Sequence, residues 1–90
     1  MTEITERILF SGRVQGVGFR YTTERIASGL PVRGFVRNLP DRRVEAVIVG
    51  TTDSIQQLID VLKDRFGSGI TDVHREPYRQ ADDFVGFEIR

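Results

Sequence analysis

Ile55, Leu58, Ile59, Leu62 and Phe66 stand at i, i+3, i+4, i+7 and i+11, an apolar stripe that an α-helix gathers onto one face. A helix with a single apolar stripe has to lay it against a partner, so this segment commits the chain to a layered fold. Thr52 or Asp53 is placed to cap its start, Asp53 and Gln56 have capping-box spacing, and Gly67 supplies a left-handed stop. A second helix is predicted from Phe19, where Phe19, Thr23, Ile26, Ala27 and Leu30 share a face; Gly29 and Pro31 end it. The remaining segments read as strands. Arg7 to Val14 alternates, with Ile8, Phe10, Gly12 and Val14 on one side. Val32 to Leu39 and Val44 to Gly50 follow, joined by a hairpin through Leu39-Pro40-Asp41-Arg42-Arg43. Ile70 to Arg79 and Phe84 to Ile89 are two more short strands around a polar turn at Gln80-Ala81-Asp82-Asp83.

Strand, helix, strand, strand, helix, strand is the ferredoxin-like order: an α+β sandwich with an antiparallel sheet and two helices on one face. Ninety residues make one domain, 1–90, with no repeat or linker to divide it. This topology hosts many unrelated activities, so function has to come from a site.

Composition removes several classes of site. The chain has no cysteine, which excludes disulfides, thiolate nucleophiles and cysteine-ligated metals. His74 is the only histidine and reads as a surface residue, so no metal cluster is expected. Apolar runs fall far short of the roughly 20 residues of a spanning helix, and the acidic start Met1-Thr2-Glu3-Ile4-Thr5-Glu6 has no secretory core. A cytoplasmic, free-standing protein with no membrane partner is expected. Thirteen basic and thirteen acidic residues give zero net charge, which removes the usual electrostatic footprint of a nucleic-acid binder. RNA-recognition domains share the topology, but Val44 to Gly50 lacks the aromatic residues they stack on bases, so no nucleic-acid partner is expected. Charged residues such as Arg75, Glu76 and Arg79 would guard an outer strand, as suits a monomer.

The informative segment is Gly12-Arg13-Val14-Gln15-Gly16-Val17-Gly18-Phe19-Arg20, which runs from strand through a glycine-bearing turn into a helix. The first amides of a helix have no partner within it, and the helix dipole favours an anion there. Gly16 and Gly18 permit positive φ and close approach of a phosphate. Arg20 lies in the first helical turn, where a cation is disfavoured unless an anion binds beside it. Other phosphate motifs are missing: the glycines precede no Lys-Ser/Thr, and the dinucleotide spacing is not present.

This segment, followed by Gly34-Phe35-Val36-Arg37-Asn38 and then by Asp41-x-x-Val44-Glu45, resembles the acylphosphatase signature along essentially the whole chain. The ending Phe87-Glu88-Ile89 is also similar to that family's last strand. The resemblance implies hydrolysis of a small-molecule acyl phosphate by a ferredoxin-like enzyme with no cofactor, no metal and no phosphoenzyme. It implies that main-chain amides of Gln15, Gly16, Val17, Gly18, Phe19 and Arg20 cradle the phosphoryl group. Arg20 would bind the phosphate through its side chain, and Asn38 would position the attacking water. The chain departs from the family pattern at Asp41-Arg42, usually Asp-Gly, at Leu30-Pro31-Val32-Arg33-Gly34, and at Ser68, often proline. An anion-binding module without activity, and the acylphosphatase-like domain of larger carbamoyl-phosphate enzymes, are the alternative readings.

Overall fold

A computed structural model describes residues 2–80 and 83–90. The elements are β1 (Ile4–Gly12), α1 (Phe19–Ser28), β2 (Arg33–Asn38), β3 (Val44–Gly50), α2 (Thr52–Phe66), a 3₁₀ turn (Gly67–Gly69), β4 (Ile70–Pro77) and β5 (Phe87–Ile89). They form one five-stranded sheet in the order β4-β1-β3-β2-β5. The first four strands pair antiparallel, as the ferredoxin-like order requires. β5 adds a parallel pairing at the edge, Gly34 beside Phe87 and Val36 beside Ile89, so the sheet is mixed rather than wholly antiparallel.

Both helices cover the same face of the sheet. Ile8 and Phe10 of β1, Val36 of β2 and Val44, Ala46 and Ile48 of β3 meet Phe19 and Ala27 of α1 and Ile55, Leu58, Ile59 and Leu62 of α2. Each large side chain in this cluster contributes about 1.5–3 kcal/mol on burial, which a domain of this size needs to offset its chain entropy. Among the described residues no helix covers the opposite face. There Glu45 is 3% exposed and bridges Arg7 and Arg37, while Arg7 also reaches Glu76. Paired on both sides, the Glu45 carboxylate escapes the penalty of a lone buried charge.

Several element ends differ from the sequence reading for visible reasons. β1 starts at Ile4, because residues 4–6 continue the ladder with β3 despite their polar character. It stops at Gly12 rather than Val14, where the register with β4 shifts and Arg13 N–H donates to the Gly69 carbonyl at 2.7 Å. The cap of α2 is Thr51, not Thr52 or Asp53: its extended backbone lets Oγ1 accept from Ser54 N–H at 3.1 Å. Gln56 makes no capping box and donates instead to Asp60. The outer strand does carry Arg75 and Glu76, but Arg75 turns to Glu6 and Gln56 and Glu76 to Arg7. Of the expected turn at residues 80–83, residues 81 and 82 lie outside the described residues. Among the described residues no helix is long and apolar enough to cross a membrane.

Candidate active site

β1 and β2 run in the same direction on either side of β3, and both end level with Val44: Phe10 and Asn38 are each its register partner. The turn after β1 and the hairpin after β2 therefore leave the sheet at one end.

The turn hangs between two buried anchors. Val14 and Phe19 are each 1% exposed, whereas Gly16, Val17 and Gly18 between them are exposed. Phe19 is wedged between Phe10 of β1 and Phe66 of α2, with ring centroids 5.0 and 4.8 Å away. Its side chain is thus a core element, and only its amide is available to a ligand. Gly16 and Gly18 sit at φ 75 and 79, on either side of Val17. A Cβ at either glycine would meet nothing within 4 Å, so backbone conformation, not crowding, selects glycine there. Alternation of this kind turns successive N–H groups toward a common concavity that suits an anion.

Among the described residues, no amide from Gln15 to Tyr21 donates to a protein acceptor; the first bonded one is Thr22 N–H, to Gly18 O at 3.0 Å. Gly18 is the N-cap and offers no side chain, and the first turn of α1 contains no acidic residue. The positive end of the helix is therefore left uncompensated by the protein. Arg20 adds a half-buried guanidinium that makes no ion pair or hydrogen bond among the described residues. Arg7, Arg33, Arg37, Arg43, Arg75 and Arg90 each pair with a carboxylate, whereas Arg20, like Arg13, Arg25, Arg42 and Arg65, does not among the described residues. Asn38, the last residue of β2, is exposed and its carboxamide likewise has no partner among the described residues.

Gln15 joins the two halves of the site. Its Nε2 donates to the Leu39 carbonyl at 2.9 Å and to the Arg43 carbonyl at 3.0 Å. The turn is thereby tied to the base of the hairpin, one residue beyond Asn38. The sequence reading gave Gln15 only a main-chain amide; nothing in the sequence shows that two hairpin carbonyls face its side chain. The hairpin is also held from within, since Asp41 accepts from the Arg43 amide at 3.1 Å and from Arg43 Nε at 2.8 Å. Those bonds, the amide's first, hold the Asp41 carboxyl below the usual carboxylate range. Gln15→Met keeps the length but removes both donors. It should cost about 1–3 kcal/mol of stability, from two hydrogen bonds at roughly 0.5–1.5 kcal/mol each. Denaturant unfolding at unchanged m-value would measure this, and a stability equal to that of the parent would show that the tie carries no load.

Chemically, the site offers a run of unbonded main-chain donors, an unpaired planar cation and a neutral carboxamide. Among the described residues no group of three or more His, Asp or Glu side chains could hold a metal ion.

Comparison with known proteins places the chain in a family. The sequence model of the Acylphosphatase family matches residues 6–89. An acylphosphatase of Caldivirga maquilingensis is 43% identical over 86 residues, covering 93% of this chain and 90% of that protein. The crystal structure of acylphosphatase from Bacillus subtilis superposes with a TM-score of 0.85 at 32% identity, covering 97% of this chain and 98% of that one. HypF of T. kodakarensis has a similar region, with a TM-score of 0.83 at 27% identity, covering 99% of this chain but 12% of that one.

Proposed function

Since the chain belongs to the acylphosphatase family, we propose that it hydrolyses acyl phosphates to a carboxylate and inorganic phosphate, using Arg20, Asn38 and the amides of residues 15–20. The observation that carries this assignment of residues is the run of unbonded amides beside an unpaired Arg20, at the sheet end where Asn38 also stands.

The phosphoryl oxygens sit in the turn, facing the amides of Gln15, Gly16, Val17, Gly18, Phe19 and Arg20. Arg20 presents two parallel N–H donors to them, a fit that a lysine ammonium cannot reproduce. Asn38 holds a water in line with the bond to the acyl oxygen. Water oxygen attacks phosphorus, the P–O bond to the acyl group breaks, and its electron pair leaves with the carboxylate. A carboxylate is stable unprotonated at neutral pH, so no general acid is required. The proton lost by water passes to a phosphoryl oxygen. Phosphoryl transfer through a loose transition state depends chiefly on positioning and charge stabilisation, which amide dipoles and one guanidinium supply.

Asn38→Ala tests the water's place. With benzoyl phosphate as substrate, kcat should fall by about 10²-fold while KM changes little, because the held water matters in the transition state and not in substrate binding. A raised KM at unchanged kcat would remove Asn38 from the water and put it on the substrate. Phosphate binding without any release of phosphate from benzoyl phosphate would leave an anion-binding module. We assign the protein to the cytoplasm as a monomer: it has no cysteine to exploit an oxidising compartment, and outer strand β4 carries charged Arg75 and Glu76.

A further inference from the structure

Arg42 is the one non-glycine residue with positive φ, at 76, among the described residues. Glycine occupies such a position freely, whereas an L side chain there costs about 1–2 kcal/mol. The hairpin tip thus carries a long cation where its backbone favours none. That cation has no ion pair or side-chain hydrogen bond among the described residues, and neither has Arg13. The two arginines line one cleft of about 500 Å³ together with Gly12, Val14 and Gln15. Among the described residues no carboxylate lines it; Asp41, the acidic residue of the hairpin, is engaged by Arg43. Two like charges beside one cleft repel, and an anion between them reverses that cost. The cleft shares Gln15 with the phosphoryl cradle.

We propose that this cleft is a subsite for a second anionic group on the substrate, so that the enzyme prefers acyl phosphates whose acyl part bears a carboxylate or a phosphate-like group. The inference rests on the hydrolase reading above and adds substrate class to it. Flexible arginine stems let the two guanidiniums converge on either kind of anion, each with its own pair of donors.

The test compares benzoyl phosphate with 4-carboxybenzoyl and 4-phosphonobenzoyl phosphate, in the parent protein and in Arg13→Gln, Arg42→Gly and the double variant. In the parent, kcat/KM for at least one anionic substrate should exceed that for benzoyl phosphate by about tenfold at low salt, and the excess should shrink as salt is raised. Which of the two gains more distinguishes carboxylate from phosphate. Each single variant should lose part of the preference and the double variant all of it, with kcat/KM for benzoyl phosphate held within about twofold. Arg42→Gly relieves the backbone strain, so it should fold at least as stably as the parent. Equal rates on the three substrates, or a preference that survives in the double variant, would overturn the subsite. Failure to hydrolyse any of the three would instead overturn the hydrolase reading itself.

Discussion

Arg20→Gln is expected to lower kcat/KM for an acyl phosphate by at least about 10²–10³-fold, the worth of one preorganised donor at developing charge. The same substitution should leave the protein as stable as before, or more so. Arg20 is tied to no carboxylate among the described residues, so its removal breaks no ion pair. It also relieves a cation in the first turn of α1, where no acidic side chain offsets the helix dipole. Relief of that kind contributes about 0.3–1 kcal/mol. For a domain of this size the melting temperature should then rise by about 1–8 °C. Inorganic phosphate should raise the melting temperature of the parent more than that of the variant, which keeps the main-chain cradle but lacks the guanidinium that strengthens binding. Kinetics and thermal unfolding with and without phosphate check all three. An inactive variant that also melts well below the parent would mean that Arg20 supports the fold, and the loss of activity would then say nothing about chemistry.

Gly34→Ala is expected to leave the chain largely unfolded. Gly34 lies inside β2 at φ 144, outside the range of ordinary side chains. An added Cβ there would overlap the Val47 carbonyl oxygen and lie 2.9 Å from its carbonyl carbon. Both atoms belong to the main chain of Val47 in the adjacent strand β3, so neither can swing aside. The penalty should exceed the 4–5 kcal/mol that marks an exceptional substitution, against roughly 5–15 kcal/mol for a whole domain. Gly34 also donates its N–H to Gly86 at 3.0 Å, just before β5, so the close approach helps seat the last strand. Gly16→Ala is the useful contrast: with open space around it, its cost should be the roughly 1–2 kcal/mol of an unfavourable φ alone. Circular dichroism and urea unfolding of the two variants distinguish them. A Gly34→Ala protein as stable as Gly16→Ala would show that the strands can separate there.

The sequence makes some of this plain and hides the rest for physical reasons. α2 is legible because its apolar stripe is long, and β3 because Val44 to Gly50, interrupted only by Glu45, is a β-branched and apolar run closed by glycine. The start of β1 is not, since Thr5 and Glu6 are polar and are held as strand by pairing with β3 and β4 rather than by their own preference. Thr51 does not stand out as the cap because three neighbouring residues, Thr51, Thr52 and Asp53, all have capping side chains, and only the backbone angles choose between them. The parallel direction of β5 follows from where the chain returns after residue 83, and three residues carry no mark of it. In the site, Gly16, Gly18 and Arg20 are readable because they are adjacent and each is odd for its place. Asn38 acquires meaning only from the family resemblance. The Gln15 tie depends on two segments meeting across more than twenty residues, which no local pattern records; the left-handed Arg42 is set within the hairpin itself, but an arginine there carries no mark of it.

β1 pairs with β3 on one side and with β4 on the other, from Glu6 opposite Pro77 to Gly12 opposite Ile70. During synthesis, then, the turn at residues 15–20 leaves the ribosome early, but the strand that leads into it lacks its outer neighbour until β4 follows. At roughly 5–20 residues per second, the interval from residue 20 to residue 77 is about 3–11 s. Such distant pairings also place the domain among slower folders, since loop closure precedes any reward from contact. A nascent or C-terminally shortened chain that lacks β4 should therefore contain every residue of the anion cradle and have no grip on phosphate.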